Sequence, residues 1–195
     1  MGRASGRVIA VLALWLTTAI ASAAGDSEAL WRRLAEGGHV ILIRHAVTEP
    51  GIGDPPGFRV DDCATQRNLS DAGRNDARRM GEAFRSRGIP VGDVRSSRWC
   101  RCLETARLAF GRVVPDPMLD SMFREDERAG AKKVSAVREA IARRTGRGNL
   151  VLVTHSQNII ALTGESVRSG EMVVVQTDPN NASLRVVGLL PPESF

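Results

Sequence analysis

Three cysteines in 195 residues, Cys63, Cys100 and Cys102, are too few for a disulfide-rich scaffold. They also lack the paired C-x-x-C spacing of a structural zinc site. No C-x5-R motif is present, because six residues on from each cysteine stand Leu69, Ala106 and Leu108. That excludes a thiolate nucleophile of the kind that motif carries. No basic run with interleaved aromatics occurs, so a formal net charge of +5 gives no case for nucleic acid as a partner. There are no internal repeats and no low-complexity linker. After residue 23 no apolar run is long enough to span a bilayer.

The first residues do carry an apolar run. Arg3 and Arg7 precede an apolar stretch from about Val8 to Ile20, and Ala21-Ser22-Ala23 supplies an A-x-A cleavage site. This pattern predicts a signal peptide over residues 1–23, a single domain over 24–195, and a periplasmic or secreted location. The apolar core falls short of the roughly 20 residues a spanning helix needs, which disfavours the alternative of an uncleaved anchor. An oxidising compartment makes a disulfide reasonable. Cys100 and Cys102 are too close to pair easily with each other, so the expected bridge joins Cys63 to Cys100 or Cys102.

Along the rest of the chain, short apolar runs alternate with helical patterns. Residues 26–36 predict a short helix closed by Gly37-Gly38. Val40–Ile43 predicts a strand buried on both faces, as in a parallel sheet. Residues 46–68 carry Pro50, Gly51, Gly53, Pro55, Pro56 and Gly57, and predict a long loop of the kind that is often functional. Ser70 predicts the N-cap of an amphipathic helix that Gly88 and Pro90 close. A strand over 91–97, a helix over 98–111, a short strand at Val113-Val114, a helix over 132–145 and a buried strand over 149–155 follow. The segment 156–164 reads as helical. Two final alternating segments flank Pro179-Asn180-Asn181 and predict a hairpin. The sum is an α/β protein, a three-layer α/β/α sandwich with a mostly parallel central sheet and an antiparallel C-terminal edge strand.

Chemistry-bearing residues stand where these strands end. Val40–Ile43 runs into Arg44-His45, the 91–97 strand into Arg98 and Arg101, and Leu150–Val153 into Thr154-His155. Ligands of open α/β sheets bind at the carboxyl ends of the strands. Two histidines and two or three arginines converging there predict an anion site, and the guanidinium fork suits phosphate oxygens. His39 stands at the opposite end of the first strand, roughly 20 Å from His45, so the three histidines cannot form one metal cluster. A structural or surface role is expected for it.

These residues fall into four ordered motifs: Arg44-His45-Ala46 with Thr48, Leu69-Ser70-Asp71-Ala72-Gly73, Ser96-Ser97 with Arg101 and Thr105-Ala106, and Thr154-His155-Ser156. Together they resemble the histidine phosphatase superfamily, the phosphoglycerate-mutase-like group, over residues 40–160. The pattern is most similar to small exported bacterial members. The resemblance implies a phosphatase acting on a phosphate monoester through a phosphohistidine on His45. Arg44, Arg101 and His155 would be catalytic, and with Thr48 they would bind the phosphate. It implies no cofactor and no metal. The expected partner is a small phosphorylated substrate, by analogy an envelope sugar phosphate. A phosphoglycerate-type mutase and a non-catalytic phosphate-binding protein are the alternatives.

The chain departs from the family pattern in three places. Ala46 stands where the family has glycine, and Ser156-Gln157 where glycines are common. The general acid has no clear match. Asp120 is the nearest equivalent, with Glu125 behind it, and Glu171 is a second candidate because it opens a strand expected to run antiparallel to the others. The segments 46–68 and 116–131 are expected to set specificity.

Overall fold

The computed structural model describes residues 26–177 and 183–195; the expected leader and the turn at 179–181 lie outside them. Residues 26–36 form helix α1. In chain order follow β1 (Val40–Arg44), α2 (Asp71–Ser86), β2 (Val91–Ser96), α3 (Cys100–Phe110), β3 (Val114–Pro115), α4 (Glu127–Ala142), β4 (Asn149–Thr154), α5 (Ser156–Thr163), β5 (Met172–Thr177) and β6 (Leu184–Leu190). The described strands make one six-stranded sheet in the order β3-β2-β4-β1-β5-β6. β1, β2, β3 and β4 pair in parallel, while β5 joins β1 and β6 antiparallel. The three-layer architecture with antiparallel strands at the C-terminal edge is therefore as the sequence predicts.

The apolar run explains the central place of β1. Ile41 and Ile43 face one layer, where they join Leu34 of α1, Met80 and Phe84 of α2, and Ala106 of α3. Val40 and Leu42 face the other, against Val137 and Ile141 of α4 and Ile159 of α5. All four strand residues are at most 1% exposed. Burial of each such side chain contributes about 1.5–3 kcal/mol, so the strand's position and direction are strongly fixed. His39, at the far end, is buried and satisfied: its ring bonds the Gly37 carbonyl and the Gln176 amide.

Helix α4 begins earlier than the sequence predicts, at Glu127 rather than Lys132. Asp126 caps it by accepting from the Ala129 N–H. Gly130 hides this start in the sequence, since glycine lowers helix propensity. In the fold it gives room to Met122, whose Cε would stand 3.2 Å from a Cβ there. The predicted cap of α2 is present, with the Ser70 hydroxyl accepting from the Gly73 N–H at 3.1 Å.

Candidate active site

Parallel neighbours β1 and β4 release the chain at the same edge, with Arg44 in register with Thr154. The next residue of each strand is a histidine. The His45 and His155 rings lie with centroids 5.5 Å apart, nearly edge-on. The main chain around His45 is held from both sides: its N–H donates to the Thr154 carbonyl, and its carbonyl accepts from Gly170. The two residues after it are held by the other motifs. The Ala46 N–H donates to the Thr105 hydroxyl at 3.1 Å. The Val47 carbonyl accepts from the Ser70 N–H. Helix α2 passes so close that a Cβ on Gly73 would fall 1.9 Å from the Val47 oxygen, which is why glycine stands there. Ala46 is fully buried, and its methyl packs in a small cluster with Leu69 and Ala77. The position where the family has glycine is thus filled without an open gap.

A cavity of about 530 Å³ opens over this edge, lined by Arg44, His45, Arg101 and His155, with Arg67, Trp99 and Asp54 among its other walls. The four residues expected to be catalytic therefore come together. Ring nitrogen Nδ1 of His45 lies 2.9 Å from the Ala46 carbonyl. A carbonyl only accepts, so this contact assigns the proton to Nδ1 and leaves the lone pair on Nε2. Burial, then the charges of Arg101, Arg44 and Arg67, press the His45 pKa down to about 3, against the pull of the Ala46 bond. Burial first, then repulsion between the two rings when both would be protonated and the charge of Arg101, lower that of His155 in the same direction. Both rings are neutral near pH 7.

His155 Nε2 lies 2.9 Å from the Ser97 hydroxyl, which donates to Asp120 Oδ1 at 3.3 Å. Asp120 is 3% exposed and does not line the cavity. Its carboxylate accepts from the Arg98 N–H at 2.8 Å and the Arg98 guanidinium at 2.7 Å. It ends a chain that positions His155. Glu171 also stands outside the cavity lining: its carboxylate accepts from the Arg168 N–H, while its carbonyl accepts from the Arg44 N–H. Of the acids the sequence singles out, Glu125 does line the cavity, paired with Lys133. Thr48 is set back as well, its hydroxyl accepting from Arg67 Nη1 at 2.6 Å.

Two site residues escape the sequence reading. Arg67 sits two residues before the Leu69 motif, and its guanidinium is tied to the Gly51 and Gly53 carbonyls. Asp54 pairs with Arg101 and accepts from the Trp99 indole at 2.9 Å. Burial raises the Asp54 carboxyl, but Arg101 and Trp99 outweigh it and hold it below the usual carboxylate range. The glycines and prolines of 46–68 signal a functional loop without marking either side chain. Cys63 in that loop is bridged to Cys100, the first residue of α3; Cys102 is free and buried, its thiol pushed up to about 12 chiefly by burial.

Arg44 and Arg101 each carry a buried Nε–H with no partner among the described residues. An unmet buried donor costs about 1–3 kcal/mol, and an anion in the cavity is the acceptor such donors lack. The arrangement can hold a phosphoryl group against an uncharged imidazole.

Comparison with known proteins agrees with this geometry. Residues 40–127 match the model of the histidine phosphatase superfamily (branch 1). No curated protein sequence matches. Among solved structures, the chain resembles a protein named as a phosphohistidine phosphatase, SixA, from Agrobacterium tumefaciens, with 21% identity and a TM-score of 0.54 over 80% of this chain and 99% of that one. It also resembles a phosphoserine phosphatase of Entamoeba histolytica, with 12% identity and a TM-score of 0.59 over 80% and 98%. A mycobacterial glucosyl-3-phosphoglycerate phosphatase gives 15% identity and a TM-score of 0.58 over 77% and 97%. At these identities the structural likeness concerns the fold.

Proposed function

With residues 40–127 assigned to the histidine phosphatase superfamily, we propose that the protein is an exported phosphatase that hydrolyses a phosphate monoester through His45. The observation that carries this reading is the buried, neutral His45 ring, its Nδ1–H directed at Ala46 and its lone pair on Nε2, in a cavity whose walls include Arg44, Arg67 and Arg101. Nε2 attacks phosphorus, forming a P–N bond as the ester P–O bond breaks. Arg44, Arg101 and Arg67 hold the phosphoryl oxygens and stabilise the charge of the transition state, and His155 joins them as a donor once the bound phosphate dianion favours its protonated form. A leaving oxygen that needs a proton takes it from Glu125 in its carboxylic acid form, reached when its contact with Lys133 opens; Glu125 lines the cavity from the 116–131 segment that the sequence singles out. Water then cleaves the P–N bond, releasing phosphate and the neutral ring. The reaction on this reading uses no cofactor. The Cys63–Cys100 bridge supports an oxidising compartment, in line with the leader pattern of residues 1–23.

The test is phosphate release from p-nitrophenyl phosphate by the purified protein, with trapping of an acid-labile phosphoprotein after brief exposure to substrate. Wild type should turn over and label; His45→Ala should do neither while keeping its circular dichroism spectrum. Equal inactivity of both across a broad ester panel would overturn the reading.

A further inference from the structure

The cavity is far larger than a phosphoryl group needs, and its walls carry four large apolar side chains besides the arginines and histidines. Phe58 and Trp99 form a tilted pair with centroids 5.7 Å apart, and Trp99 also stands edge-on to His155 at 5.6 Å. Both line the cavity. Beyond them, Ile52 is 93% exposed and Phe123 57% exposed. They are two of the five exposed large apolar side chains among the described residues, and both line this same cavity, whereas Val47, Val114 and Ile160 do not. They come from different segments, Ile52 from the loop after β1 and Phe123 from the loop before α4. The two segments meet across the mouth: Arg124 Nη2 comes within 3.9 Å of where a Cβ on Gly53 would be. A single exposed apolar side chain is ordinary on a protein surface. Two of them, with an aromatic pair behind, gathered around one cationic floor are a contact surface in want of an apolar partner.

We infer that the substrate is an amphipathic phosphomonoester, whose phosphate takes the arginine–histidine floor and whose alcohol part is an apolar group covered by Phe58, Trp99, Ile52 and Phe123. A bare sugar phosphate would leave Ile52 and Phe123 against water. This inference rests on the reading of the floor as a phosphomonoester site, and it concerns binding, so it can be tested apart from turnover.

Alkylphosphonates carry a P–C bond that hydrolysis does not cleave. Calorimetric titration with ethyl- and octylphosphonate, below micelle concentrations, measures the apolar contribution directly. Octylphosphonate should bind roughly ten-fold tighter or more. The double variant Ile52→Ser with Phe123→Ser should lose most of that preference. Equal affinities in wild type, or an undiminished preference in the double variant, would overturn the inference. If the preference is present but no ester at all is hydrolysed, p-nitrophenyl phosphate included, the phosphatase reading falls while the site remains one that binds amphipathic phosphates. The source of the substrate is read in parallel from monomeric octyl phosphate and from phosphatidic acid in phosphatidylcholine vesicles: turnover of either supports the class, and the vesicle arm identifies a membrane lipid. Failure to act on either, with p-nitrophenyl phosphate still cleaved, counts against it.

Discussion

Asp54 closes on Arg101 at two points, 2.7 Å from Nη1 and 3.3 Å from Nη2, within the cavity that His45 and His155 also line. Both side chains are nearly inaccessible, at 7% and 5%. The pair fixes the guanidinium plane, while the Arg101 Nε–H has no partner among the described residues.

Removing that carboxylate leaves a buried arginine uncompensated, a change that costs about 3–5 kcal/mol in other buried pairs. Asp54→Ala should lower the melting temperature, and inorganic phosphate should then raise it more than in wild type, because a bound anion takes over the carboxylate's part. A variant that melts like wild type, or that gains nothing extra from phosphate, would show that the pair does not hold Arg101.

Stability should depend on pH through the two buried rings. In the unfolded chain a histidine takes up a proton near pH 6.5, whereas His45 in the fold does so only at about 3, and His155 is lowered in the same sense. Below pH ~6.5 the unfolded state therefore binds more protons, and stability falls as pH falls. The urea midpoint should be lower at pH 5 than at pH 7.5, and His45→Gln with His155→Gln should flatten the difference. An unchanged midpoint in wild type would contradict the neutral, buried rings.

The Cys63–Cys100 bridge closes a loop of 37 residues' separation and ties the segment carrying Asp54 and Arg67 to the helix carrying Arg101. Its loss should cost about 3–4 kcal/mol by the chain-entropy account. Cys63→Ser should show this in denaturant melts, and KM should rise more than kcat falls, since the loop walls the substrate cavity. Equal stability of oxidised and reduced protein would be the contrary result.

Proton delivery by Glu125 should depend on the leaving group. Glu125→Gln is expected to slow alkyl phosphates about a hundred-fold or more, and p-nitrophenyl phosphate only a few-fold, because nitrophenolate departs without a proton. A uniform loss over both esters would remove Glu125 from that role.

Much of this was legible in the chain because burial writes itself as pattern. Val40–Ile43 and Leu150–Val153 are continuous apolar runs, so the sequence alone places their ends, and with them His45 and His155, on one edge. Asp54 and Arg67 could not, since a loop has no periodicity and its side chains are positioned by contacts with Arg101, Trp99 and Thr48 that are distant in sequence. Asp120 reads from sequence as an acid near the site. Only its partners, Ser97 and Arg98, reveal a carboxylate already engaged behind His155.

The pairing of β1 with β4 has a consequence for how the site can vary. Their spacing is set by backbone hydrogen bonds at about 4.8 Å, a length common to all sheets. The gap between the two rings, 5.5 Å, is close to that same interval. The sheet thus acts as a gauge between the two histidines, indifferent to the side chains around them. The exposed turn around Ile52 can be exchanged to suit another substrate, whereas a one-residue slip of β4 would turn His155 to the opposite face and dismantle the site at a stroke.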